Sequence, residues 1–396
     1  MLECPGSKSK VRAPTPLTQK RIPELDGIRG VAIAAVLALH FISDTSGGDY
    51  GSFLYRFQAA FRMGWAGVDL FFVLSGFLIG SILLSSRESQ TYYSHFYIRR
   101  SFRILPVYLA WLVLCVLVAV ATSHAGIFPY DISSISAKLP YYFVFLQTFV
   151  SWPMFSFAHY WLGPMWSLAV EEHFYLAAAP LVRYLSLKSL AVISVTAIVI
   201  SPIVRLIAWN HLGGIIYILM VFRADSLMAG VFLAIIWQDT SARSWIEARK
   251  KWVFRSCVLL AAPFPLLTKW FPLAYGRYAA VTYSYLALLF SIVILSLLVD
   301  KTTWFSGVMR NPALVELGRI SYCVYIVNLG VLGLCHSLIR HKLPSIADAG
   351  GISVTVVALA LTLSIAWLSM RYFESEMLAM GSRYKYPAAL RFSEPG

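Results

Sequence analysis

Arg29 and His40 lie eleven positions apart in the first apolar run, which begins Gly27-Ile28-Arg29-Gly30 and reaches His40-Phe41. On one α-helix they fall within about 20° of a common stripe and about 16 Å apart along its axis. A guanidinium near one mouth can hold a phosphate, and an imidazole further in can move a proton or carry an acyl group. The plain alternative is a snorkelling arginine and a histidine bonded to a neighbouring carbonyl. Arg100 and Arg103 are spaced i, i+3 and share a helix face just before Pro106, which suits a first helical turn. Such a pair suits bidentate phosphate binding, although a basic collar at a helix end looks the same.

Carboxylates are the other half of the chemistry. Counted from an outer edge at Gly64, Asp69 lies about 8 Å deep, near the expected depth of His40. There a carboxylate can orient the imidazole and balance its charge. Glu171 and Glu172 follow Trp166-Ser167-Leu168-Ala169-Val170, about 16 Å into a run that begins near Tyr160. Neighbours on a helix point 100° apart, so one of the two is expected to face a cavity and the other an intramembrane partner. Arg223 has a similar reckoned depth and is a candidate for that partner. Ser75, in the run of Asp69, is a further candidate. Groups like these cost at least about 2.5–3.5 kcal/mol each near a bilayer centre, so they are the informative residues, although an Asp69 that packs helices through a backbone hydrogen bond reads equally well.

The elements that must position these residues are long apolar runs. Of 396 residues, 59% are apolar and 13% charged, against about 25% charged in a soluble domain. Ten runs, at 28–45, 64–84, 104–124, 161–182, 186–208, 213–237, 252–267, 278–299, 313–339 and 352–373, approach or exceed the roughly 20 residues that cross about 30 Å of hydrocarbon. The predicted fold is all-α, a polytopic transmembrane helical bundle of about ten spans. The run 139–150 is short and reads as a re-entrant or interfacial segment. With the N-terminus inside, Lys and Arg favour the inner loops by roughly three to one, so both termini are expected to be cytoplasmic.

The net charge of +14 is then a topology signal. It is spread over loops, with no compact basic domain of the kind that binds nucleic acid. The five cysteines are scattered without a CxxC, so no metal is implied. Residues 1–21 read as an N-terminal cytoplasmic tail, 22–374 as the membrane domain and 375–396 as a C-terminal cytoplasmic tail.

In combination, the motifs resemble those of acyltransferase family 3, bacterial membrane enzymes that modify sugars on surface polymers and some antibiotics. They are the Arg-x10-His of Arg29 and His40, GVDLFFVLSGFLIG from Gly67, the Arg-x-x-Arg of Arg100 and Arg103, and WSLAVEEHFY from Trp166. RADSLMAG from Arg223, GRISYCVY from Gly318 and RYFE from Arg371 complete the set. The resemblance implies a coenzyme A-linked donor, catalysis by His40 and donor handling by Arg100 and Arg103. Many relatives carry a histidine near the position of Asn328, so any role for that histidine does not transfer.

The resulting expectation is an O-acyltransferase of the bacterial inner membrane. It would move an acyl group, expected to be acetyl, from acyl-coenzyme A to a hydroxyl of a glycan or other hydroxylated acceptor. His40, Asp69 and Glu171 are the expected catalytic residues, and Arg29, Arg100 and Arg103 the expected donor-binding ones. Ser75, Glu172 and Arg223 are further candidates. Acyl-coenzyme A is a co-substrate, and no permanently bound cofactor is expected. The rival is a secondary transporter whose buried charges relay protons. Slow release of free coenzyme A from acetyl-coenzyme A would favour the acyltransferase.

Overall fold

A computed structural model describes residues 22–49, 51–122, 135–150, 157–212, 215–264 and 276–385. The tail expected over 1–21 lies outside them. Helix α1 spans Pro23–Ala38, with Pro23 at its start and Glu24 and Asp26 in its first turn. A proline there loses no hydrogen bond, and carboxylates favour the positive end of the helix dipole. The helix continues as a π turn over Leu39–Ser43, where the Asp44 N–H donates to the Leu39 carbonyl at 2.8 Å. His40 therefore sits in a widened turn of a kind often found at functional sites.

Further helices are α2 (Phe53–Ala60), α3 (Ala66–Ser85), α4 (Tyr92–Thr122), α5 (Ile135–Phe143), α6 (Phe157–Leu162), α7 (Trp166–Tyr184), α8 (Leu187–Leu212) and α9 (Ile215–Ile218). They are followed by α10 (Ala224–Gln238), α11 (Thr240–Glu247), α12 (Lys250–Ala261), α13 (Gly276–Val299), α14 (Trp304–Met309), α15 (Pro312–Arg340), α16 (Ala349–Ser369) and α17 (Ser375–Ser382). No β-strand is present among the described residues; an isolated bridge joins Ser46 and Ser345.

Among the described residues, eight helices are long and apolar enough to cross a bilayer. The other two expected spans fall on α7, which carries Glu171, Glu172 and Arg183, and on α12. The 12 residues of α12 rise only about 18 Å. Over 139–150 the structure has the end of the nine-residue α5 and a 3-10 turn at Gln147–Phe149. Beyond 374, where a tail was expected, α17 packs on α4, bringing Gly381 against the Phe102 side chain.

The apolar windows of α3 and α15 are 78% buried, whereas that of α8 is only 22% buried. The first two therefore form the centre of the bundle, and α8 shows most of its surface to lipid. Two glycines set the register around α1. A Cβ on Gly318 of α15 would lie 1.8 Å from the Asp26 carbonyl oxygen. One on Gly67 of α3 would lie 2.4 Å from that of Ala32. Both helices thus approach α1 backbone to backbone, as small residues permit. Beyond His40 the loop is held at both sides. The Ser46 N–H donates to the Pro344 carbonyl and the Ile346 N–H to that of Ser46. Gln58 of α2 donates to the carbonyls of Ile42 and Thr45.

Candidate active site

A cavity of about 290 Å³ lies between α1, α3, α4, α7 and α15. On α3 its wall runs from Val68 to Ile82, about 21 Å along the axis. Arg29, Arg100 and Arg103 all line it, and so does Glu171. Two helices, α1 and α4, therefore bring three guanidinium groups to one space, and Glu171 is the one carboxylate among the lining residues. Arg29 has Asp26 at 3.7 Å. Arg100 and Arg103 make no ion pair with another described residue. The cavity thus carries excess positive charge in a half-buried setting, where a polyanion is held more strongly than in water.

Glu171 is tied into its wall. The Tyr175 hydroxyl donates to Glu171 Oε2 at 3.0 Å. With that hydrogen committed, the Ser75 hydroxyl is the donor across its 3.0 Å contact with Tyr175. Residues 171 and 175 are one turn apart on α7, which is why the pair can form. Glu172, a further 100° round the helix, is not among the lining residues. Of the two adjacent glutamates, Glu171 is the one that meets the cavity.

His40 is not among the lining residues either. Its Nδ1 lies 2.6 Å from Oδ1 of Asn328 on α15. The fully buried Asn328 also uses Nδ2 to donate to the carbonyls of Val324, at 3.1 Å, and Tyr325, at 2.7 Å. His40 lies in the π turn at Leu39–Ser43, away from the wall that holds Arg29. Tyr325 lines the near end of the cavity, one turn before Asn328. Its hydroxyl accepts from Ser167 at 2.8 Å, and its ring meets Phe71 edge-on at 6.4 Å.

Asp69 does not meet His40. Gly67 is level with Ala32, and Asp69 lies further from His40 along antiparallel α3. The axial offset is on the order of 12 Å or more. Asp69 instead pairs with Arg223 at 2.5 Å, both side chains being fully buried. The expected partnership of Arg223 with Glu171 or Glu172 is thereby replaced. Arg223 also lies 3.9 Å over the Tyr283 ring. A second fully buried pair, Arg205 with Asp225 at 2.7 Å, is completed by the Ser284 hydroxyl donating to Asp225. Both pairs lock α3, α8, α10 and α13 together. By contrast Glu316 and Arg319, expected inside a span, form a 2.8 Å pair with both side chains 42% exposed.

The sequence reading gave no role to Asn328, Tyr175 or Tyr325. The available signal for Asn328 was an uncharged polar residue within an otherwise apolar stretch of α15.

Helices of this length around a buried charged cavity define a polytopic membrane protein with an internal cationic site. The profile of the acyltransferase-3 family, described as an acyltransferase domain, matches residues 22–371. The chain belongs to this family. OatA, an O-acetyltransferase of Staphylococcus aureus (strain NCTC 8325 / PS 47), is 23% identical over 91% of this chain and 58% of its own length. A provisionally named O-acetyltransferase of S. aureus (strain COL) is 26% identical over 89% of this chain and 57% of its own length. The chain therefore spans less than two thirds of the length of these relatives. No solved structure matches it at a significant level.

Proposed function

We propose that the chain is an O-acyltransferase of the bacterial inner membrane that takes its acyl group from acyl-coenzyme A. The observation that carries this reading is the convergence of Arg29, Arg100 and Arg103 on one cavity that runs toward the level of His40. The start of α1 faces the cytoplasm in a bundle of about ten spans, and the donor's phosphates bind the three guanidinium groups. The pantetheine arm extends along α3 past Ser75 and Glu171, and the acyl group reaches His40 as the Tyr325 ring gives way. His40 acts as general base on the acceptor hydroxyl or carries the acyl group itself. The acceptor, a glycan or other hydroxylated molecule, approaches from the opposite side, so only the acyl group crosses the membrane. Asp69 and Arg223 hold the bundle together, and Glu171 balances the arginine cluster.

The donor site is tested by calorimetry with coenzyme A. Hydrogen bonds to charged groups contribute about 1.5–3 kcal/mol each. Arg100→Ala and Arg103→Ala should therefore each weaken binding by about tenfold or more. The corresponding lysine variants should recover only part, because lysine lacks the bidentate fork. Unchanged coenzyme A binding in the double alanine variant would reduce the pair to a topology signal.

A further inference from the structure

We infer that Asn328 is the positioning residue of His40 and makes Nε2 the reacting nitrogen; this rests on the reading of His40 as the catalytic histidine. The Asn328 amide can sit only one way round. Its nitrogen faces two backbone carbonyls, of Val324 and Tyr325, which accept and cannot donate. The group turned toward His40 is therefore the oxygen, also purely an acceptor. At 2.6 Å the ring nitrogen opposite it must carry a hydrogen, so His40 holds its proton on Nδ1. In the neutral ring the basic lone pair then belongs to Nε2.

Asn328 is itself held firmly. It is fully buried, and α15 meets α1 backbone to backbone at Gly318. The imidazole is thus oriented from a rigid helix. The supporting group is uncharged, whereas a carboxylate commonly fills this place beside a catalytic imidazole. The carboxylate expected there from the sequence, Asp69, is engaged by Arg223 instead.

When His40 acts as base, the acceptor hydroxyl gives its proton to Nε2 while its oxygen bonds to the thioester carbonyl carbon. The tetrahedral adduct then breaks its carbon–sulfur bond. The departing thiolate takes the same proton from Nε2, and the ring returns to its Nδ1–H form. The proton on Nδ1 stays on its bond to Asn328 throughout. If His40 carries the acyl group instead, Nε2 is again the atom that bonds to it.

The test reads the tautomer directly in the full-length protein. Histidine labelled with ¹⁵N and ¹³C is incorporated, and the His40 ring signals are assigned by their loss in His40→Ala. The parent should show the proton on Nδ1. In Asn328→Leu it should move mainly to Nε2, the form water favours. The turnover number should fall by up to about 10⁴-fold, the scale on which a wrong tautomer acts, with the KM for acetyl-coenzyme A unchanged. A parent spectrum with the proton on Nε2 overturns the inference, and it decides the matter even if Asn328→Leu fails to fold. A folded Asn328→Leu that keeps the parental tautomer also overturns it, whatever its rate. If His40→Ala remains active, the catalytic reading fails, while the spectra still decide what Asn328 does.

Discussion

His40→Ala should lose acyl transfer by about 10²–10⁴-fold, the usual cost of removing a general base, while still binding coenzyme A. The two effects separate because His40 stands apart from the arginine-lined cavity. The arginines and Glu171 line that cavity, and His40 does not. Folding should also survive, since the ring is only half-buried and the π turn that carries it is closed by backbone bonds. Labelled acetyl transfer from acetyl-coenzyme A, measured beside coenzyme A calorimetry on the same preparation, checks both halves. Activity within a few-fold of the parent would remove His40 from the chemistry. Loss of donor binding together with activity would mean that the turn shapes the cavity.

The largest effect on stability is expected at Asp69. Asp69→Ala leaves the Arg223 guanidinium buried without its counter-charge, a defect that costs about 3–5 kcal/mol. The Tyr283 ring beneath it returns only a fraction of this, since a desolvated cation–π contact contributes about 2 kcal/mol. Arg223 is held between α3 and α13, so the single variant should unfold in detergent at a clearly lower temperature. Replacing both charges at once, as Asp69→Leu with Arg223→Met, should recover much of the loss, because no uncompensated charge remains. The double variant should then transfer acyl groups at a rate near that of the parent. A well-folded double variant without activity would give one of the two a part in the chemistry.

This second result bears on how a membrane sequence is read. The apolar runs and the converging arginines were legible, because hydropathy reports span length and i, i+3 spacing reports a shared face. Depth was less so. Counting depth from Gly64 places Asp69 near the surface, yet a Cβ on Gly64 would meet the Ala35 carbonyl, and α2 lies before it in the chain. The true edge is higher, and Asp69 is correspondingly deeper. Once it is deeper, its partner is Arg223, and neither can serve His40.

His40 itself shows a second limit. It sits at the start of a π turn, Leu39–Ser43, that nothing in the local composition announces. Its partner lies 288 positions away and carries no charge, so a census of buried ionisable groups passes over it. Glu316 and Arg319 also fall within the apolar run 313–339, yet they lie exposed near the start of α15 and balance each other. Charge inside an apolar run marks a functional site only when burial and an opposing element are known.

The central claim is that the donor enters at the Arg29 end and the acyl group leaves at the other. Sealed vesicles with the protein in one known orientation test it directly. Acetyl-coenzyme A labelled in the acetyl group is supplied on the face nearest Arg29, Arg100 and Arg103, and a membrane-impermeant hydroxylated acceptor on one face at a time. Free coenzyme A should appear on the donor face, and labelled product only when the acceptor is on the opposite face. Product formed only from an acceptor on the donor's own face would contradict transfer across the membrane, and donor use only from the opposite face would contradict the assignment of the arginine cavity.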